Sequence, residues 1–248
     1  MDWNDEAVRE TLCAWVDVPS AGAVLDAGCG DGADLRRISR RLGPDARLAG
    51  AEAMNSVLEK ARAAAGGDVR FSFLEADLSR PWPLGDGSFD GVFSNNVLEC
   101  VTDKQAFLAE TARVLRPGGQ VVCAHWDHDT HLFDGADKAL VRRIVAAYSD
   151  WQQGWMADAD GWMGRRLWKT FQASGLFTGH METLTLTETE FAPGAYGYEQ
   201  GQAFGAMVKH GLVTADDYAG FTDGITAQSE RGEYFYSLNL YAYIGNKL

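Results

Sequence analysis

The residues whose types and spacing could do chemistry begin with Val24-Leu25-Asp26-Ala27-Gly28-Cys29-Gly30-Asp31-Gly32, an apolar run ending in an acidic glycine loop. Glycines at this spacing permit a tight turn and let a ligand lie directly on the backbone, because no Cβ stands in the way. Two ligand readings compete. A G-x-G-x-x-G loop seats a pyrophosphate on the N-terminus of the following helix, as in dinucleotide-binding oxidoreductases. Here the third glycine comes one residue early, and Asp26 and Asp31 flank the turn. Negative charge repels a pyrophosphate and attracts a cation, so the loop suits a positively charged, nucleoside-bearing cofactor better than a dinucleotide. Taken alone, the three glycines are equally the ingredients of a plain strand-to-helix turn.

A second cluster is His125-Trp126-Asp127-His128-Asp129-Thr130-His131, with three of the chain's five histidines. His125, His128, His131 and the two aspartates could supply metal ligands, but a spacing of i, i+3, i+6 in a loop is not a familiar zinc pattern. His125 or His128 could instead orient an acceptor or take its proton, and exposed histidines without any chemical role are the third reading. The stretch from Trp151 to Gly164 interleaves Trp151, Trp155 and Trp162 with Gly and Asp. Aromatic residues in that setting read as the wall of a lidded pocket, and Phe191, Tyr196, Tyr198 and Phe204 could form the opposite wall. Such walls could hold a cationic amine by cation–π attraction or clamp a flat phenolic acceptor.

The elements that must position these residues alternate like a parallel α/β sheet. Asn4 or Asp5 can cap a helix carrying Val8, Leu12, Trp15 and Val16. Strands are expected over 23–26, 47–51, 69–74, 89–94 and 120–124, with helices over 32–42, 54–65 and 104–115 between them. Five-residue strands separated by ten-residue helices imply right-handed crossovers and helices on both faces of the sheet. In the second half, 126–164 shows no strand pattern and one helix, 138–151, with Leu140, Ile144, Tyr148 and Trp151 on one side. A helix over 165–174, strands over 181–191 and 235–244, and short helices over 199–210 and 215–231 complete the pattern. Ligands on an open α/β sheet sit beyond the carboxyl ends of the strands, which places Asn95, Asn96 and the histidine segment opposite the acceptor.

Composition narrows the classes. The 248 residues are 46% hydrophobic and 23% charged, enough to bury a core without disulfide or metal staples. No apolar stretch approaches a membrane span. Twenty-two basic against 35 acidic residues give a net charge of −13, a field that repels a phosphate backbone. Cys13, Cys29, Cys100 and Cys123 are scattered and read as free thiols of a reducing compartment. The acidic start, Met1-Asp2-Trp3-Asn4-Asp5-Glu6, is unlike a signal peptide. These features lead to the expectation of a cytoplasmic protein without nucleic-acid or membrane partners.

The glycine loop, Glu52 and four later segments together resemble the class I S-adenosylmethionine-dependent methyltransferases, in their small-molecule branch of quinone-biosynthetic and natural-product enzymes. Glu52 ends the second strand about twenty residues after the loop. Glu75-Ala76-Asp77-Leu78 follows the third, and Pro81 to Asp90 leads into the fourth. Asn95-Asn96-Val97-Leu98-Glu99-Cys100-Val101 follows the fourth, with Cys100 where the family often has histidine, and Arg113 to Gly119 precedes the fifth. Five motifs in order over residues 20–125 are far more specific than one loop.

The resemblance implies a single domain over 1–248: a Rossmann-like, mostly parallel seven-stranded sheet with an antiparallel last strand and helices on both faces. Residues 20–125 would be its cofactor core, and 126–164 and 193–232 its helical cap insertions. It implies S-adenosylmethionine as cofactor, S-adenosylhomocysteine as product and no metal. Asp26, Gly28, Gly30, Gly32, Glu52, Ala53, Asp77, Leu78 and Asn95 would hold the cofactor. Glu52 would lie at the ribose hydroxyls and Asp77 at the adenine amino group. The acceptor would be a small molecule methylated on O or N, bound by Asn96, Trp126, Trp151, Trp155, Trp162, Tyr196 and Tyr198, with His125 and His128 as catalytic candidates. C-methylation, or a non-catalytic S-adenosylmethionine-binding module, is the alternative. A monomer or homodimer is expected.

Overall fold

The computed structural model describes residues 5–135 and 137–248; Asn4, one of the two expected helix caps, lies outside them. Five strands and three helices follow an opening α1 Asp5–Ala14, with no helix between the third and fourth strands: β1 Ala23–Ala27, α2 Ala33–Ser39, β2 Arg47–Glu52, α3 Asn55–Ala64, β3 Phe71–Glu75, β4 Phe89–Asn95, α4 Lys104–Val114 and β5 Leu115–Trp126. The second half runs β6 Leu132–Phe133, α5 Lys138–Ser149, α6 Met163–Ser174, β7 Phe177–Glu188, α7 Tyr196–Ala203, α8 Ala206–Lys209, α9 Ala215–Glu230 and β8 Tyr236–Lys247.

The sheet order is β3-β2-β1-β4-β5-β8, with β7 along the outer edge of β8. β1 to β5 pair in parallel, and β8 pairs antiparallel with both β5 and β7. Chain order reverses direction between β1 and β4, the switch point where an open sheet leaves a crevice. Alternation of side chains along a strand divides the apolar residues between two cores. Val24, Val122 and Ala124 join Leu12 and Leu35 on one face, while Leu25, Val121 and Cys123 join Leu108, Leu167 and Phe171 on the other.

Several boundaries differ from expectation. α1 stops at Ala14, so Trp15 and Val16 lie past its end, and α2 stops at Ser39, three residues early. β5 runs on to Trp126 because β8 pairs with it as far as Trp126 and Leu240. The segment expected to lack strands contains two-residue β6, paired with β8 at Ser237 and Tyr236 in the space beyond the end of β5. β7 begins at Phe177 and ends before Phe191, in register with the whole of β8.

The two insertions pack on each other. Phe133, Phe204 and Phe221 meet edge-on or tilted, with Tyr148 against Phe204 at 4.5 Å. Arg143 of α5 reaches Asp217 of α9 at 2.8 Å. Glu188, at the end of β7, accepts hydrogen bonds from the amides of Tyr196 and Gly197, both 2.7 Å, and so fixes the start of α7. Among the described residues no helix is long and apolar enough to cross a membrane.

Candidate active site

The crevice at the carboxyl ends of β1, β2 and β4 holds three adjoining chambers that meet at Asn96. Asn96 has φ of +57°, the only positive φ among described non-glycine residues. That conformation costs about 1–3 kcal/mol unless neighbours impose it. Here they do: the Asn96 amide donates to the Ala124 carbonyl at 3.0 Å, and its Oδ1 accepts from the Trp126 amide at 2.9 Å. The side chain that separates the chambers is therefore clamped to β5.

The first chamber, about 290 Å³, is bounded by Asp26, Gly28, Gly30 and Asn95, and by Asp5 and Arg9 of α1. All three glycines of the loop are left-handed, with φ of +85°, +53° and +72° at Gly28, Gly30 and Gly32. The three glycines differ in what a Cβ would meet. At Gly28 it would stand 2.2 Å from Val97 Cγ2, whereas at Gly30 nothing lies within 4 Å. Gly32 lines none of the chambers; its Cβ would press on Ala61 and Phe73 at 3.3 Å, so it serves helix–sheet packing. Burial, with Asp34 nearby, pushes the Asp26 carboxyl well above the usual range. Asp34 is bound by Arg9 at 2.9 Å and by the Asn95 amide at 3.2 Å. Cys29 sits in the loop wall, but burial raises its thiol, which leaves it protonated and inert.

The second chamber, about 300 Å³, is lined by Glu52, Ala53, Met54, Asp77, Leu78 and Cys100 among others. The Glu52 carboxylate accepts from the Gly30 amide at 3.3 Å and from the Met54 amide at 3.1 Å, so it is held at the mouth of the glycine loop. Asp77 stands at the rim; bonds from Ser79 and Arg80 hold its carboxyl below the usual range. Cys100 is pushed up to about 12 by burial and keeps its proton.

The third chamber, about 210 Å³, has aromatic walls from Trp126, Tyr148, Trp151, Trp155 and Tyr196. Glu99 and His128 face it, 3.5 Å apart at Oε2 and Nε2. Burial alone would raise Glu99, but the hydrogen bond from His128 and the nearby His125 and Lys104 outweigh it and hold the carboxyl below its ordinary value. Burial pushes the Tyr148 hydroxyl up to about 12.

The placement of the expected acceptor residues is mixed. Asn96, Trp126, Trp151, Trp155 and Tyr196 share the third chamber. Trp162 does not line it: 41% exposed, it lies under the Arg165 and Arg166 guanidiniums at 4.6 and 5.2 Å. Tyr198 instead packs on Phe191 at 4.9 Å. His125 is 0% exposed and lines no chamber, because it follows the opposite parity of β5 from Trp126. Its Nδ1 bonds the Trp126 carbonyl at 2.8 Å, and burial lowers its pKa. The histidines do not assemble a metal centre: among the described residues no group of three His, Cys, Asp or Glu could hold an ion. Buried His131 stacks on His128 and bonds Tyr236 instead.

Sequence reasoning missed Asp5, Arg9 and Asp34, which no motif marks, and Glu99, which was in view within the segment after β4. It assigned Tyr148 to an apolar stripe rather than to the chamber.

With this geometry, the comparison with known proteins is specific. Residues 25–123 match the family model described as a methyltransferase domain. That segment is thus similar to a methyltransferase domain. Two relatives are a ubiquinone/menaquinone biosynthesis C-methyltransferase of Desulfotalea psychrophila, 33% identical, and the O-methyltransferase cnsE of Penicillium expansum, 37% identical. The matches cover 48% and 49% of this chain and 48% of each relative, so the chain spans about half the length of the relatives it matches. A Streptomyces coelicolor geranyl diphosphate C-methyltransferase, solved with S-adenosyl-L-homocysteine, superposes with TM-score 0.57 at 18% identity, over 98% of this chain and 81% of that one. The matched segment runs from within β1 through most of β5 and supplies about half of the first chamber's lining and most of the second's. The aromatic chamber draws most of its walls from beyond the matched segment.

Proposed function

We propose that this chain transfers a methyl group from S-adenosylmethionine to an O or N atom of a small-molecule acceptor. The observation that carries the reading is the junction at Asn96 of a polar chamber at the glycine loop, a mostly apolar one beside it and one aromatic chamber. The donor fits the residues present. Gly30 leaves its backbone open to a ligand, and Glu52 is fixed beside it with carboxylate oxygens available for ribose hydroxyls. Asp26 borders the first chamber, where a cationic amino-acid group would favour its ionised form against the burial that raises it, and Arg9 is suited to that group's carboxylate. Asp77 and Leu78 border the space left for the base.

When bound, the donor supplies a methyl on a sulfonium, a centre activated without help from the protein. The chain's own work is positioning and exclusion of water, which can supply about 7–11 kcal/mol of the barrier when the reacting atoms are held about 3 Å apart. Asn96 separates donor from acceptor, and Trp126 and Tyr196 border both the first and third chambers. An acceptor O–H or N–H in the third chamber would meet Glu99 and His128, which hold or take the proton that must leave. That pair favours O or N over carbon. Calorimetry with S-adenosylhomocysteine tests the reading: Asp77→Ala should weaken binding about tenfold, the effect of losing one hydrogen bond to a charged group. Unchanged affinity would remove Asp77 from the site.

A further inference from the structure

The third chamber has a chemistry that restricts its occupant. Its described lining contains no lysine or arginine, and it does contain Glu99 and Asp160. Asp160 is paired with Arg166 at 2.6 Å. Glu99 has no such partner: the groups within 4 Å that could carry positive charge are two imidazoles, His128 at 3.5 Å and His125 at 3.6 Å. His125 cannot donate to it in its neutral form. Its Nδ1–H is given to the Trp126 carbonyl, so its Nε2 carries a lone pair, and that atom is buried with no hydrogen-bond partner. Lys104 is committed to Asp158 at 2.9 Å and to the Val101 carbonyl at 3.0 Å. A carboxylate offers about four acceptor sites, and among the described residues His128 is the single side chain left to serve them.

Two further oxygens of this chamber have no hydrogen-bond partner among the described residues, one a hydroxyl that can accept or donate and one an amide oxygen that accepts. Ser149 Oγ, on a side chain 6% exposed, and Gln200 Oε1 are both buried without a hydrogen-bond partner. An under-served buried carboxylate, two unpartnered oxygens and the side chains of Tyr148, Trp151 and Trp155 thus line one small space. Buried polar atoms cost free energy until they are paired, and the complement of this set is a group rich in N–H and positively charged. An ammonium has three N–H donors and is attracted to aromatic faces; an anion would meet no lysine or arginine and would face the Glu99 carboxylate.

We propose that the third chamber selects acceptors bearing an ammonium group on a flat apolar body, with the ammonium on Glu99. This rests on the methyltransferase reading only in calling the occupant an acceptor; the recognition itself is a property of the chamber. The test is calorimetric, on the full chain saturated with S-adenosylhomocysteine at pH 7.5. The probes are three compounds with one ring system and different charge: tryptamine, indole-3-ethanol and indole-3-acetate. Tryptamine should bind about tenfold or more tighter than the alcohol, with the acetate weakest. Glu99→Gln should bring amine and alcohol to within about twofold of each other. Equal binding of the three, preference for the acetate, an amine preference that survives Glu99→Gln, or no binding by tryptamine would each overturn the proposal. If the variant melts at a much lower temperature than the native chain, the native ranking alone decides. Absence of S-adenosylhomocysteine binding would sink the methyltransferase reading instead, and the three probes then still rank the chamber on the ligand-free protein.

Discussion

The glycine loop offers a prediction in which two substitutions of the same kind should have opposite consequences. At Gly28 the φ is +85° and an added Cβ would lie 2.2 Å from Val97 Cγ2. The left-handed backbone costs an L-residue about 1–2 kcal/mol, and overpacking against Val97 adds about 1–3 kcal/mol. Gly28→Ala should therefore cost about 2–5 kcal/mol, a large part of the about 5–15 kcal/mol that holds a domain together. For a chain of this size the melting temperature should fall by about 4–20 °C. At Gly30 the φ is +53° and nothing lies within 4 Å of an added Cβ. Gly30→Ala should cost only the backbone strain, about 1–2 kcal/mol, yet its methyl enters the first chamber and should weaken S-adenosylhomocysteine binding by about tenfold or more. Thermal denaturation and calorimetry on both variants separate the two effects. A second substitution, Val97→Ala, should recover part of the loss at Gly28 and none at Gly30. The reasoning is refuted if Gly28→Ala melts like the native chain, or if Gly30→Ala binds the product with native affinity.

Other expectations follow from single contacts. The Asp26 carboxyl is raised by burial and by Asp34, and a cationic ligand favours its ionised form. Donor binding should therefore release a proton and tighten as pH rises through the raised pKa, whereas flat or falling affinity from pH 5 to 8 would contradict it. The same shift gives the ligand-free fold a contribution from Asp26 that is fully present below pH 3.8, the unfolded value, and lost as pH rises through the raised one, so stability measured against pH should show the opposite slope to affinity. Asp127 is 0% exposed and takes two bonds from the Arg165 guanidinium, at 2.5 and 2.6 Å. Arg165→Ala strands that carboxylate and should cost on the order of 3 kcal/mol in chemical denaturation; a loss under about 1 kcal/mol would place the pair with ordinary surface ion pairs.

The first half of the fold was readable because each of its units is local: a strand, a turn and a helix within about thirty residues. The same locality exposed Glu52, Asp77 and the loop. The residues that escaped notice are placed by contacts far apart in the chain. Arg9 meets Asp34 across 25 positions, and Tyr148 meets Phe204 across 56. His125 was misplaced for a reason the sequence did contain. Side chains alternate along a strand, so if Trp126 faces the crevice, His125 cannot; ending the strand at Ala124 hid that parity. Trp162 and Tyr198 show the limit of composition. An aromatic in a glycine-rich segment declares burial of apolar area, not direction, and these two settled against arginines and Phe191.

The central claim is that the crevice at Asn96 seats an adenosyl sulfonium donor beside an aromatic acceptor chamber. Titration calorimetry of the native chain with S-adenosylmethionine and with S-adenosylhomocysteine tests it most directly. The account predicts one site for each, competing with each other and with micromolar affinity, about −8 kcal/mol. Saturable heat from neither ligand would contradict it.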